Sequence, residues 1–171
     1  MIKKKVCVAI FSRANYGSIK KVLDELKKNK KIELQILTGG SANIDKYGSI
    51  SKIIQKDKFK INEEVFFFVD GDKPITMVKT TALGMIETSS ALEKLRPDIV
   101  LTVGDRYETM ATVIASSYMN IPVAHTMGGE VSGTIDESIR HAITKFSHIH
   151  FPATKKSKSN IINMGENKKN I

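Results

Sequence analysis

Short apolar runs alternate along this chain with longer stretches in which apolar residues recur every three or four positions. Residues 3–11, KKKVCVAIF, read as a first strand, and the loop SRANYG follows at 12–17. Residues 18–28 then place Ile19, Val22, Leu23 and Leu26 on one helical face with lysines opposite. Residues 31–38, KIELQILT, alternate as a second strand that ends at Gly39-Gly40-Ser41. A short helix within 42–48, a polar amphipathic segment over 49–60 and a third strand at 64–69, EVFFFV, come next. The following helix covers 76–95, with apolar Met77, Leu83, Ile86, Ala91, Leu92 and Leu95, and Pro97 stops it. Residues 98–103 form a fourth strand rich in β-branched side chains, halted at Gly104. The helix over 107–120 has Met110, Val113, Ile114, Ser117 and Tyr118 on one face, and 122–125 is a fifth strand. Thr134 with Glu137 three residues later predicts a capping box opening a helix that carries Ile139, Ala142, Ile143 and Phe146. A sixth strand at 150–152 and a helix over 155–164 complete the pattern.

Strands alternating with helices predict an α/β fold, a Rossmann-like doubly wound parallel sheet, with residues 1–171 forming one domain. Ligands of such sheets bind outside the carboxyl ends of the strands. No repeat or low-complexity linker interrupts the chain. It stops after a strand and a helix with no return segment, which reads as a domain cut from something larger.

Composition narrows the classes. A chain of 171 residues, 41% apolar and 26% charged, is that of an ordinary globular domain. The net charge of +9 comes from lysines spread over helix faces and the tail, with few aromatics and no Arg-rich helix, so nucleic-acid binding is not expected. An anionic small ligand such as a sugar nucleotide suits the same balance. Cys7 is the sole cysteine, which excludes an intramolecular disulfide and a cysteine zinc site, and a cytoplasmic location follows as the expectation. The apolar run at 6–11 is too short for a signal core or a membrane span, so no membrane association is expected.

The candidate chemistry concentrates between residues 100 and 145. Asp105 follows a buried apolar strand directly, so it must be hydrogen-bonded, paired or open to a cleft; a helix cap paired with Arg106 is the plain alternative. Gly128-Gly129-Glu130 with Ser132-Gly133 makes a loop whose amides can approach a ligand closely. Asp136 and Arg140, and Glu137 and His141, are i, i+4 pairs on the next helix. Arg13 stands after strand one, where a phosphate site would lie, although no GxGxxG is present. Carboxylates delivered to one sheet edge suit proton removal and return at carbon. The histidines His125, His148 and His150 lack tight ligand spacing and read as structural, so no metal is expected.

With SRANYG at 12–17, VGDRYET at 103–109 and GGEVSGTIDESIRHAITKFSHIHF at 128–151, the chain resembles the hydrolysing UDP-N-acetylglucosamine 2-epimerase family. The resemblance covers the amino-terminal half of such an enzyme. It implies the first of two Rossmann-like domains in a GT-B-like build, with the active site in the cleft between them, and a homo-oligomer when complete. It implies a substrate that is a UDP- or GDP-linked 2-acetamido sugar. The reaction it implies is elimination of the nucleotide across C1 and C2, then water addition at C1 with reprotonation of C2 from the opposite face, needing no cofactor. Carried over by position, Asp105 and Asp136 take acid and base roles at C2 or in its hydrogen-bond network, with Glu137 as a second acid beside Asp136. Arg140 orients a carboxylate or the substrate, and Arg13 lies on the nucleotide side; Arg106, Ser132 and His141 complete the expected binding residues.

One departure bears on the chemistry: Met127 stands where many relatives carry Glu in HxEGGE, so either Glu130 or another group substitutes, or the sugar is a different one, such as a 2,4-diacetamido-trideoxy one. Gly40-Ser41-Ala42 also stands where some relatives place a histidine. A non-catalytic sugar-nucleotide-binding domain is the alternative from another class. A glycosyltransferase of similar build fits less well, because glycosyl transfer does not call for carboxylates around C2.

Overall fold

The computed structural model of the chain describes residues 2–171. Six strands, β1 (Lys4–Ile10), β2 (Ile32–Thr38), β3 (Glu63–Glu64), β4 (Ile99–Val103), β5 (Val123–Thr126) and β6 (Ile149–Phe151), form one parallel sheet in the order β3-β2-β1-β4-β5-β6. The helices are α1 (Arg13–Lys28), α2 (Ile50–Lys56), α3 (Pro74–Leu95), α4 (Tyr107–Tyr118), α5 (Ile135–Phe146) and α6 (Lys155–Asn163). This is the doubly wound α/β arrangement predicted from the alternation. The strand order reverses between β1 and β4, and it is at such a switch point, outside the carboxyl ends of the strands, that ligands of open α/β sheets bind.

The two-residue period of each strand divides the core by face. Val8, Ile10, Ile36, Leu101 and Val103 pack with Tyr16, Ile19 and Leu23 of α1 and Ile50 and Ile54 of α2. On the opposite face, Cys7, Ala9, Leu37 and Val100 pack against Ala91, Leu92 and Leu95 of α3 and Ala115 of α4, and Val123 packs with Val113 and Ile143. Register aligns Ile36, Val8, Leu101, Ala124 and Ile149 in one row across five strands. Burial declines along it: Ile36 and Val8 are fully buried under α1, whereas Ile149 is 37% exposed. An open apolar groove of about 360 Å³ lies there, bordered by Val22, Leu26, Leu101, Ala124, Ile149 and Phe151.

Several local expectations are corrected. Helix α1 begins at Arg13 and not at Ser18, because Ser12 serves as its N-cap and accepts from the Asn15 amide at 3.2 Å. Val22 is 42% exposed on the rim of the groove, since no element covers that part of the sheet. Of the run EVFFFV only Glu64 joins the ladder, in the two-residue strand Glu63–Glu64; the Val65 amide still donates to the Thr38 carbonyl at 2.9 Å, and Val65 and Phe67 are buried while Phe66 is exposed. Leu83 and Ile86 face outward from α3, as do Ile75 and Val78. The inner face of α3 is small at Thr80, Gly84 and Thr88 and turns to leucine only at Leu92 and Leu95; Gly84 approaches α4 so closely that a Cβ would lie 3.1 Å from Ala111 and from the Phe67 ring. In α4 the buried positions are Glu108, Thr109, Ala111, Thr112, Val113, Ala115 and Ser116, and Tyr118 is 85% exposed.

His125 is fully buried on β5 and joins two strand ends: its Nε2–H donates to the Gly104 carbonyl at 2.8 Å. That fixes the neutral Nε2–H tautomer and leaves Nδ1 without a partner. Burial pushes its pKa down from 6.5 to about 4, and burial lowers that of His150 as well. Between those two values the unfolded chain takes up a proton that folded His125 does not, so stability is full above the higher value and lost as pH falls towards the lower. Urea unfolding should therefore show about 2 kcal/mol less stability near pH 5 than near pH 7. His125→Gln, which keeps a donor for Gly104 but cannot titrate, should flatten that slope; an undiminished slope in the variant would assign the titration elsewhere.

Candidate active site

The carboxyl ends of β1, β4 and β5 meet around the switch point. Asn15, buried in the first turn of α1, holds two of them together: its Oδ1 accepts from the Phe11 amide at 3.2 Å and its Nδ2 donates to the Val103 carbonyl at 3.1 Å. Arg13, two residues earlier, is exposed and has no ion-pair partner among the described residues.

Asp105 follows Gly104, which takes φ +74, and its side chain is 26% exposed. Its partner is Arg140, whose Nη2 donates to Asp105 Oδ2 while Nη1 donates to the Glu130 carbonyl at 2.7 Å. The Arg140 side chain is only 6% exposed, so the cation is placed by two acceptors on two different loops. The expected Asp136–Arg140 pair is thus replaced, because Arg140 turns inward to the strand ends. Asp105 does not pair with Arg106 either. Arg106 makes a bidentate contact with Glu108, at 3.0 and 3.1 Å, and lies over the Tyr107 ring at 5.4 Å. Glu108 is fully buried and packs beside Gly40, where a Cβ would lie 3.0 Å from the Phe11 carbonyl.

The capping box takes a different form from the one predicted. Thr134 occupies the N-cap of α5 but its side chain caps no amide, its Oγ1 lying 3.3 Å from Ser132 Oγ instead. Glu137 instead reaches past it to accept from the amides of Ser132 at 2.6 Å and Gly133 at 2.7 Å, and those amides hold its carboxyl below the usual range. His141 Nε2 stands 3.6 Å from Glu137, as the i, i+4 spacing predicts. Ser132 therefore contributes its backbone to Glu137 and leaves its side chain exposed. Asp136 is exposed in the first turn of α5, and neither it nor the partly exposed Glu130 carboxylate has a hydrogen-bond or ion-pair partner among the described residues.

The arrangement separates the acids into two kinds. Asp105 is anchored and charge-compensated; Asp136 and Glu130 are unpaired and available to a ligand. Glu137 and Glu108 hold loops in place. Met127 adopts φ +64 and packs its side chain against the core beneath the sheet edge. Asn15, Glu108 and Asn160, whose Nδ2 donates to the Gly129 carbonyl at 2.8 Å, were not singled out from the sequence. Of these, Asn15 and Glu108 carried a signal, their places inside SRANYG and VGDRYET, and Asn160 carried none.

The family model described as UDP-N-acetylglucosamine 2-epimerase matches residues 24–171. A Legionella pneumophila protein named UDP-N,N'-diacetylbacillosamine 2-epimerase (hydrolyzing) is 38% identical over 98% of this chain and 45% of its own length. A Campylobacter jejuni protein named GDP/UDP-N,N'-diacetylbacillosamine 2-epimerase (hydrolyzing) is 34% identical over 100% of this chain and 44% of its own. Among solved structures, UDP-GlcNAc 2-epimerase from Neisseria meningitidis bound to UDP-GlcNAc superposes with a TM-score of 0.85 at 21% identity, covering 97% of this chain and 45% of that one, which shows the fold. The chain thus spans about half the length of the relatives it matches. A family match across most of the sequence and relatives above 30% identity along its whole length establish that the chain belongs to the UDP-N-acetylglucosamine 2-epimerase family.

Proposed function

We propose that this chain is the amino-terminal domain of a hydrolysing 2-epimerase acting on a nucleotide-linked 2-acetamido sugar. The observation that carries the reading is the set of carboxylates at the switch-point edge, one clamped by Arg140 and two unpaired. In the elimination step a carboxylate takes the proton from C2. The C–H electron pair becomes the C1–C2 double bond, and the C1–O bond breaks to release the nucleoside diphosphate. In the second step water adds through its oxygen to C1 and gives up a proton to a carboxylate, while C2 takes a proton on its other face. Asp105, oriented by Arg140, and Asp136, open at the start of α5, are assigned to the two sides of C2, with Glu130 beside them. Arg13 is assigned to the nucleotide phosphates at the N-terminus of α1, where backbone amides and a cation favour an anion.

A second domain closing over this edge is part of the proposal. The bare apolar groove over β4–β6 supports it, since parallel sheets are ordinarily covered on both faces. Association into a homo-oligomer is likewise proposed, supported by the outward apolar row Ile75, Val78 and Ile86 on α3. The substrate class favoured is a 2,4-diacetamido-trideoxy sugar nucleotide, because the relatives named for it share 34% and 38% identity. UDP-N-acetylglucosamine is the second reading, favoured by a Neisseria meningitidis relative named for it at 30%.

The test is nucleotide release, followed by chromatography, from both sugar classes with UDP and GDP leaving groups. The protein from the complete reading frame should release nucleotide from the diacetamido sugar faster than from UDP-N-acetylglucosamine. The 171-residue chain alone should bind nucleotide weakly and show no turnover, because domain closure is what aligns the groups and excludes water. Turnover by the short chain would contradict the two-domain reading, and no release from any of the substrates would contradict the epimerase reading.

Asp105→Asn keeps an acceptor for Arg140 and removes the charge. It should lower kcat by on the order of a hundredfold or more, with the fold retained but the unfolding midpoint lowered, since the 6%-exposed Arg140 loses its compensating charge. Unchanged turnover would remove Asp105 from the proton-transfer roles.

A further inference from the structure

None of the proposed acid, base or substrate-binding residues lies on α6, yet α6 holds the loop that connects them. Gly129 sits directly on this helix with φ +79, and a Cβ there would lie 2.3 Å from the Ser157 carbonyl oxygen and 2.8 Å from Ile161 Cγ1. Ile161 is fully buried, and α6 is capped independently by Thr154, which accepts from the Ser157 amide at 3.0 Å. Contact alone would leave the Gly129 peptide free to rotate. Asn160 removes that freedom, its Nδ2 donating to the Gly129 carbonyl at 2.8 Å. The next carbonyl along, that of Glu130, accepts from Arg140 Nη1, and Arg140 Nη2 reaches Asp105.

We propose that Asn160 is a positioning residue for the reaction. By fixing the Gly129 carbonyl it orients the peptide that follows, and so holds the Glu130 carbonyl where it fastens Arg140, and through Arg140 the Asp105 carboxylate. Peptide planarity fixes the Glu130 amide and Cα together with the Gly129 carbonyl; only φ and ψ of Glu130 then separate the two carbonyls, and each is held at its own end, by Asn160 and by Arg140. The catalytic part of this inference rests on the proposed role of Asp105; the tether itself does not.

The tether is read by NMR in the 171-residue chain. With both Nη groups held, the Arg140 guanidinium should give resolved, slowly exchanging Hη signals. Asn160→Asp keeps the shape but turns the donor into an acceptor facing the Gly129 carbonyl, and Asn160→Ala removes the group without adding charge. Both should collapse or shift the Arg140 Hη signals, and the alanine variant carries the test if the aspartate one does not fold. Asn43→Asp, which removes the same kind of bond from Asn43 to the Val65 carbonyl, should leave those signals in place. Arg140 signals unmoved in Asn160→Ala would overturn the tether.

In the protein from the complete reading frame, the Asn160 variants should lower kcat by on the order of tenfold to a hundredfold, with KM nearly unchanged. If Asp105→Asn abolishes turnover while the Asn160 variants do not lower it, the positioning role is overturned and the assignment of Asp105 stands. If Asp105→Asn leaves turnover intact, the assignment of Asp105 fails and the catalytic part of the inference fails with it.

Discussion

The Asp105–Arg140 pair is the interaction on which the candidate site depends. A carboxylate at the end of a buried strand and a guanidinium that is 6% exposed are each costly alone, and removing one partner of such a pair leaves the other stranded at a cost of about 3–5 kcal/mol when fully buried. Asp105 retains 26% exposure, which lowers that figure and leaves the carboxylate reachable from solvent. The pair also has a structural consequence. Because Arg140 takes its second acceptor from Glu130, one side chain of α5 ties the β4 end to the loop after β5. His125 ties the same two elements from below through Gly104, and Asn15 ties β1 to β4.

The sheet imposes a second constraint. Helices α3, α4 and α5 cover one face, whereas on the other α1 and α2 cover β2, β1 and the carboxyl part of β4 and leave the β5-β6 side open. The row from Ile36 to Ile149 records the change from full burial to exposure within a single register. The proposed second domain would answer both needs at once, covering apolar surface and closing the edge where Asp136 and Glu130 stand unpaired.

Much of this was legible in the sequence, because it rests on local patterns. Strand runs ending at Gly39, Gly104 and Gly128 located the carboxyl edge, and the amphipathic face of α5 was read through Ile139 and Ile143. Asp105 was recognised as a charge needing a partner, and the i, i+4 relation of Glu137 to His141 persists in the fold. The partner itself was not legible. Arg140 lies 35 positions away, and local spacing offered it Asp136 four residues before and offered Asp105 its neighbour Arg106. The same limit hid Asn160, 31 positions from Gly129, and Glu108, whose burial depends on the close approach of Gly40. The outward turn of Leu83 and Ile86 escaped because apolar residues occur on both sides of α3, and only the contact of Gly84 with Ala111 determines which side faces in. Met127, conspicuous as a departure from a family pattern, packs against the core.

The central claim is that carboxylates at this edge remove and return a proton at C2. It is tested most directly by running the reaction of the complete protein in deuterated water and following the released sugar by NMR. The account predicts one deuterium at C2 of the epimerised product, together with free nucleoside diphosphate. Nucleotide release with protium retained at C2 would contradict it, since the C2–H bond would then never have been broken.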